Sequence, residues 1–352
     1  MNINNLSLDE KIGQRFIMGI NGTNTNEIIN LVKNAHIGGV ILYKKNYKTY
    51  DDMLALIKKI KLANENNKLP LFIAIDQEGG RVNRLPKEIH NLTNIYEISK
   101  KDINLVNDYA NVLSMILRDI GINMNFAPVL DIDNDSRSSA LFKRCFYGNE
   151  DMVTESAIKY IEGTHKMIIP VIKHYPGHGL TKRDTHFMIP YIYSHENLEK
   201  HIKPFDNLIK KDIDALMVGH LVIRGLTQFL PASISSKFLD NYLRKYYNGL
   251  IITDEINMLR RNPIYFLIYR HKALLADSDI LLVKVKDANE GYKIIDKYKK
   301  ILKNNKYQEK LNRNLERIIA IKDKYKLNDN IDNLGIDIDQ INKKIDLLNN
   351  KL

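Results

Sequence analysis

The stretch at 173–186, KHYPGHGLTKRDTH, gathers the residues best suited to move protons. Pro176-Gly177-His178-Gly179 can continue neither a helix nor a strand interior, so the segment reads as a loop. Asp184 stands two residues before His186. A carboxylate beside an imidazole fixes its tautomer and raises its basicity, which suits proton transfer near neutral pH. His186 is therefore the expected general acid/base and Asp184 its orienting partner. His174, His178, Asp184 and His186 could also be read as metal ligands, but their spacing matches no standard zinc pattern and no H-x-H follows the first apolar run. Neither a metal nor a cofactor is expected.

An acid/base of this kind needs a nucleophile or anion facing it. Asp254, in LIITDEINM at 250–258, is the best-placed carboxylate, with Glu255 its rival. Side chains alternate along a strand, so only one of the two is expected to face the site. IDQEGGRVNRL at 75–85 adds Asp76, Glu78, Arg81 and Arg84 around Gly79-Gly80. Carboxylates and guanidiniums can grip vicinal hydroxyls through charged hydrogen bonds, which points to a polyol ligand.

The elements that must position these residues form a repeat of short β-branched runs, each followed by a longer stretch of helical period. The runs lie at 16–20, 40–43, 71–76, 126–132, 169–174, 215–220, 250–254 and 280–285. Such runs read as fully buried strands, and strand–helix alternation implies parallel strands joined by right-handed crossovers. Eight units predict an α/β fold, a closed (β/α)8 TIM barrel. No G-x-G-x-x-G follows the first run to suggest a dinucleotide fold instead. Asp76, Asp131, Lys173 with His174, His220, and Asp254 with Glu255 stand at or near the ends of the third to seventh runs. In a barrel those ends open onto one face, where active sites are built. An Asp after a strand is often only a helix N-cap, but five strand ends in order are not explained that way.

Of the 352 residues, 44% are hydrophobic and 27% charged, enough to bury a core and unlike a disordered chain. The net charge of +11 is spread along the chain without an Arg-rich stripe or an aromatic platform, so no nucleic-acid partner is expected. Cys145, the single cysteine, excludes an intrachain disulfide and suits a reducing compartment. Asp9, Glu10, Lys11 and Arg15 interrupt any secretory signal, and no uncharged apolar run reaches about 18 residues, so a cytoplasmic protein without membrane association is expected. Beyond Lys326, apolar residues such as Ile338, Ile341, Ile345 and Leu348 keep helical spacing. The expected division is therefore a catalytic barrel at 1–325 and a C-terminal helical extension at 326–352, in a monomer.

With these motifs in order, the chain resembles glycoside hydrolase family 3, in its single-domain β-N-acetylhexosaminidase branch. The resemblance is carried by GGVILYKKN at 38–46, IDQEGGRVNRL at 75–85, NFAPVLDID at 125–133, KHYPGHGLTKRDTH at 173–186 and ITDEINM at 252–258. It implies a barrel that removes terminal β-linked N-acetylglucosamine from muropeptides during peptidoglycan recycling. It also implies that Asp254 is the nucleophile, His186 the acid/base and Asp184 its partner, while Asp76, Arg84, Arg144, Lys173 and His174 bind the sugar. Arg144-Cys145-Phe146-Tyr147-Gly148 stands where family members read R-S-F-G, and Leu180 where an Asp usually follows the GHG turn. The competing readings are a β-glucosidase or a phosphorylase on the same site and, from another class, an inactive sugar-binding barrel.

Overall fold

The computed structural model describes residues 3–133, 140–181, 190–192, 197–261, 268–302 and 307–352. Eight short runs of buried residues form the strands, and because each is covered on both faces the sequence there is almost uninterruptedly apolar. Strands β1 (Phe16–Ile20), β2 (Gly39–Leu42), β3 (Phe72–Ile75) and β4 (Met124–Asn125) pair successively in parallel. Strand β5 begins as Ile169–Pro170 beside β4 and resumes after Val171 as Ile172–Tyr175 beside β6 (Ala215–Val218). Strand β7 (Leu250–Thr253) pairs with β6, and a bridge between Ile252 and Ile280 carries the ring on to β8 (Leu281–Val285). Five registered pairs join β8 to β1 and close the barrel. The helices between strands are amphipathic: Asn104–Asp119, for example, buries Leu105, Val106, Tyr109, Leu113, Ile116 and Leu117.

The fourth strand departs from expectation, since regular pairing covers Met124–Asn125 and not the run 126–132. Pro128 stands in the middle of that run and has no N–H to give a ladder. The run instead follows its neighbours through scattered bonds, Phe126 N to Ile75 O at 2.9 Å and Leu130 N to Lys173 O at 2.8 Å. A small parallel ribbon, Tyr191–Ile192 with Val222–Ile223, lies outside the barrel ring and has no counterpart in the sequence reading.

Helix Gln308–Lys324 crosses the N-terminal ends of the strands. Its buried Lys322 donates to Gln14 Oε1 at 2.6 Å, Pro70 O at 2.6 Å and Gly38 O at 3.3 Å, and lies 4.6 Å from the Phe72 ring centroid. The last helix, Ile338–Asn349, buries Ile341, Ile345 and Leu348 and packs against Asn104–Asp119. Two of its asparagines pair both ways with passing backbone. Asn342 accepts from His90 N at 2.8 Å and donates to Glu88 O at 2.9 Å, while Asn349 accepts from Thr93 N and donates to Asn91 O, both at 3.0 Å.

Candidate active site

A cleft of ≈ 1170 Å³ opens at the C-terminal ends of the strands, and Asp76, Arg84, Arg144, Lys173, His174 and Asp254 all line it. Six of the eight expected site residues are thus brought together from β3, the loop after β4, β5 and β7. The other two, Asp184 and His186, lie outside the described residues. The chain beyond 182–189 is tied at Pro190, whose carbonyl accepts from Val222 N at 3.0 Å.

Asp254 is the first residue past β7. Its backbone N–H continues the parallel ladder to Val218 O at 2.9 Å, and its Oδ1 accepts from Glu255 N at 2.7 Å. Burial opposes its charge, but the His220 and His174 imidazoles, the Glu255 N–H and the Lys173 ammonium outweigh that and hold the carboxyl below its usual range. Glu255 is moved the other way. Burial raises it and the Asp254 charge adds to this, against backbone N–H bonds from Lys284 and Asn257. Both residues line the cleft, contrary to the expected alternation. Regular pairing stops at Thr253 and a 3₁₀ turn, Ile256–Arg261, follows, so the two-residue period no longer applies. Two adjacent carboxyls are thereby driven apart in proton affinity, Asp254 downward and Glu255 upward.

On the opposite wall, the Glu78 carboxylate accepts from Arg144 Nε and Nη2, both at 2.8 Å, and stands 2.7 Å from Lys173 Nζ. Lys173 also donates to Asp76 Oδ1 at 2.8 Å. Burial disfavours the charge on Glu78, yet Arg144 and Lys173 hold it far below the carboxylate range. Lys173, buried as well, is pushed up in return by Asp76 and Glu78. Tyr43, also on the cleft, is kept a neutral phenol by burial and by the charges of Glu255 and Asp76.

His174 is set by Asp131, whose Oδ2 is 2.7 Å from its Nδ1 and accepts its backbone N–H at 3.2 Å. The other oxygen of Asp131 accepts from His178 N at 2.5 Å. A carboxylate can only accept here, so Nδ1 carries the proton. Burial disfavours the Asp131 charge, but His174 and His178 bring its proton affinity below the ordinary value. His220, expected on the rim, is 1% exposed. Its Nδ1 is 2.6 Å from Ser233 Oγ and its Nε2 donates to Glu255 O at 2.9 Å, so it props the turn after β7. Sequence reasoning named Glu78 as a hydroxyl grip and Asp131 as a strand-end residue, and missed that each is spent on a neighbour. Their positions were visible; their partners lie 66 and 43 residues away.

Residues 7–321 match the glycosyl hydrolase family 3 N-terminal domain. A beta-hexosaminidase of Psychromonas ingrahamii is 31% identical over 275 residues, covering 75% of this chain and 80% of that one. The solved structure of a glycoside hydrolase family 3 beta-N-acetylglucosaminidase from Paenibacillus sp. str. FPU-7 superposes with a TM-score of 0.86 at 26% identity, covering 98% of this chain and 69% of that one. A glycosyl hydrolase of the same family from Mycobacterium smegmatis gives a TM-score of 0.80 at 26% identity, covering 91% and 98%.

Proposed function

Because the chain belongs to glycosyl hydrolase family 3, we propose that it is a retaining exo-β-N-acetylglucosaminidase with Asp254 as its nucleophile. The observation that carries this reading is an aspartate held ionised in the same cleft as the Asp76, Arg84, Arg144, Lys173 and His174 cluster. Asp254 attacks the anomeric carbon while protonated His186, oriented by Asp184, gives its proton to the leaving oxygen. His186 then takes a proton from water, which opens the covalent glycosyl-enzyme, and two displacements retain the configuration. A His–Asp pair here takes the place of the usual second carboxyl. The names of the relatives support N-acetylglucosamine as the sugar. Muropeptides are the proposed source of it, with a role in peptidoglycan recycling in the cytoplasm; no described helix is long and apolar enough to cross a membrane.

The test is a panel of chromogenic β-glycosides assayed with and without phosphate. The N-acetylglucosaminide is expected to be turned over best, with water as acceptor, and Asp254→Ala to lose activity by orders of magnitude while the fold survives. Preference for the glucoside would overturn the sugar, dependence on phosphate would overturn hydrolysis, and near-normal turnover by the variant would remove Asp254 from the mechanism.

A further inference from the structure

Arg144 and Lys173, both lining the cleft, meet on the Glu78 carboxylate, which lines it with them and is 3% exposed against 18% for Arg144. Both Glu78 oxygens are occupied, Oε2 by Arg144 Nε and Oε1 by Arg144 Nη2 and Lys173 Nζ. Three of the roughly four lone-pair sites of this carboxylate are thus spent on the two cations, and their charges hold it ionised far below the usual carboxylate range. We propose that Glu78 is a positioning residue, which fixes the Arg144 guanidinium and the Lys173 ammonium in the one arrangement from which their remaining N–H groups grip the sugar.

The donor count supports this. An ammonium has three N–H bonds, and Lys173 directs one to Asp76 and one to Glu78, leaving one. A guanidinium has five, of which Arg144 directs two to Glu78 and one to Ala140 O at 3.1 Å, leaving two. Without Glu78 the two cations, one from the loop after β4 and one from strand β5, would repel each other across the site. The sequence also builds the backbone around this side chain. Gly79 and Gly80 turn at φ +82° and +54°, a Cβ on Gly79 would overlap the Tyr109 hydroxyl, and that hydroxyl donates to Glu78 O at 2.7 Å. Glu78 N is tied to Val82 O at 3.0 Å and Gly80 N to Leu92 O at 2.8 Å. The Glu-Gly-Gly triplet is thus a device for delivering one carboxylate to two cations that line the cleft.

This role rests on the proposed glycosidase reading, which gives Arg144 and Lys173 their sugar. The test compares variants on whichever β-glycoside the wild type turns over best, so an error in the identity of the sugar does not touch the comparison. Glu78→Gln is expected to lower kcat/KM roughly tenfold to hundredfold, the effect of losing charge-assisted hydrogen bonds, with most of the change in KM. Glu78→Asp keeps the charge, recovers part of that KM, and supplies the comparison if the glutamine variant does not fold. In an Arg144→Gln background, adding Glu78→Gln should change kcat/KM less than threefold, roughly the limit for sites acting through one another. A fall in kcat at unchanged KM, as from a smaller folded fraction, would overturn the proposal, and so would a fully additive double variant.

Discussion

Asp131→Asn separates the two jobs of a carboxylate that substrate never meets. In the wild type its oxygens accept from His174 Nδ1, His174 N and His178 N. An amide of the same shape has one accepting end, so one of the facing N–H groups is left buried beside an NH₂. Losing a charge-assisted hydrogen bond costs about 1.5–3 kcal/mol and an unsatisfied donor about 1–3, partly offset because a charge no longer has to be buried. A net loss of about 2–4 kcal/mol is expected at pH 7, or a Tm lowered by about 3–5 °C for a chain this long. The pH dependence has a definite sign. The folded Asp131 carboxyl lies below its unfolded value, so its contribution is complete above about pH 4 and is lost as pH falls further. Thermal unfolding at pH 7 and pH 3.5 should show the gap between wild type and variant narrowing in acid. In the same variant His174 is no longer held as the Nδ1–H tautomer, and KM should rise about tenfold at the cleft. A variant with wild-type Tm at pH 7 and wild-type KM would refute the assignment of Asp131 as the partner that orients His174.

His186→Ala should cost roughly 10²–10⁴-fold on aryl glycosides with poor leaving groups and much less on activated ones, because only the former need a proton in the transition state. Leaving-group plots of kcat/KM check this, and an equal loss across the series would exclude the acid role. Lys322, pushed down to about 7 by burial, should make stability rise with pH above 7, since the unfolded chain keeps a proton there that the folded one has released. Relative to Lys322→Met, the wild type should gain up to about 1.4 kcal/mol per pH unit between pH 7 and 9 in urea melts, and parallel pH profiles would show that Lys322 stays charged when folded.

The barrel was legible because each strand is buried on both faces and so leaves an apolar run without alternation, as in Leu250–Thr253. The fourth run misled because Pro128 has no ladder hydrogen to offer, so that beyond Asn125 pairing is reduced to scattered bonds and an isolated bridge between Val129 and Lys173. Asp76, Lys173, His174 and Asp254 could be placed on one rim because strand ends share a face. What could not be read is which charges neutralise one another. Glu78 with Arg144, Asp131 with His174 and His220 with the Glu255 carbonyl are meetings made by ring closure, and no local spacing encodes them. For the same reason the alternation rule, sound inside β7, failed one residue after it ended.

The final helix reaches further into the chemistry than its place on the outside suggests. Asn349 holds the Asn91 carbonyl, and the Asn91 side-chain amide in turn holds Gly80 O at 2.6 Å, two residues from Glu78. A cut or frameshift beyond residue 337 that removes Asn349 should therefore be felt at the sugar cleft through a relay of two hydrogen bonds, Asn349 to Asn91 and Asn91 to Gly80. Trimming the tail is expected to move the kinetic constants of this enzyme as well as its shelf life.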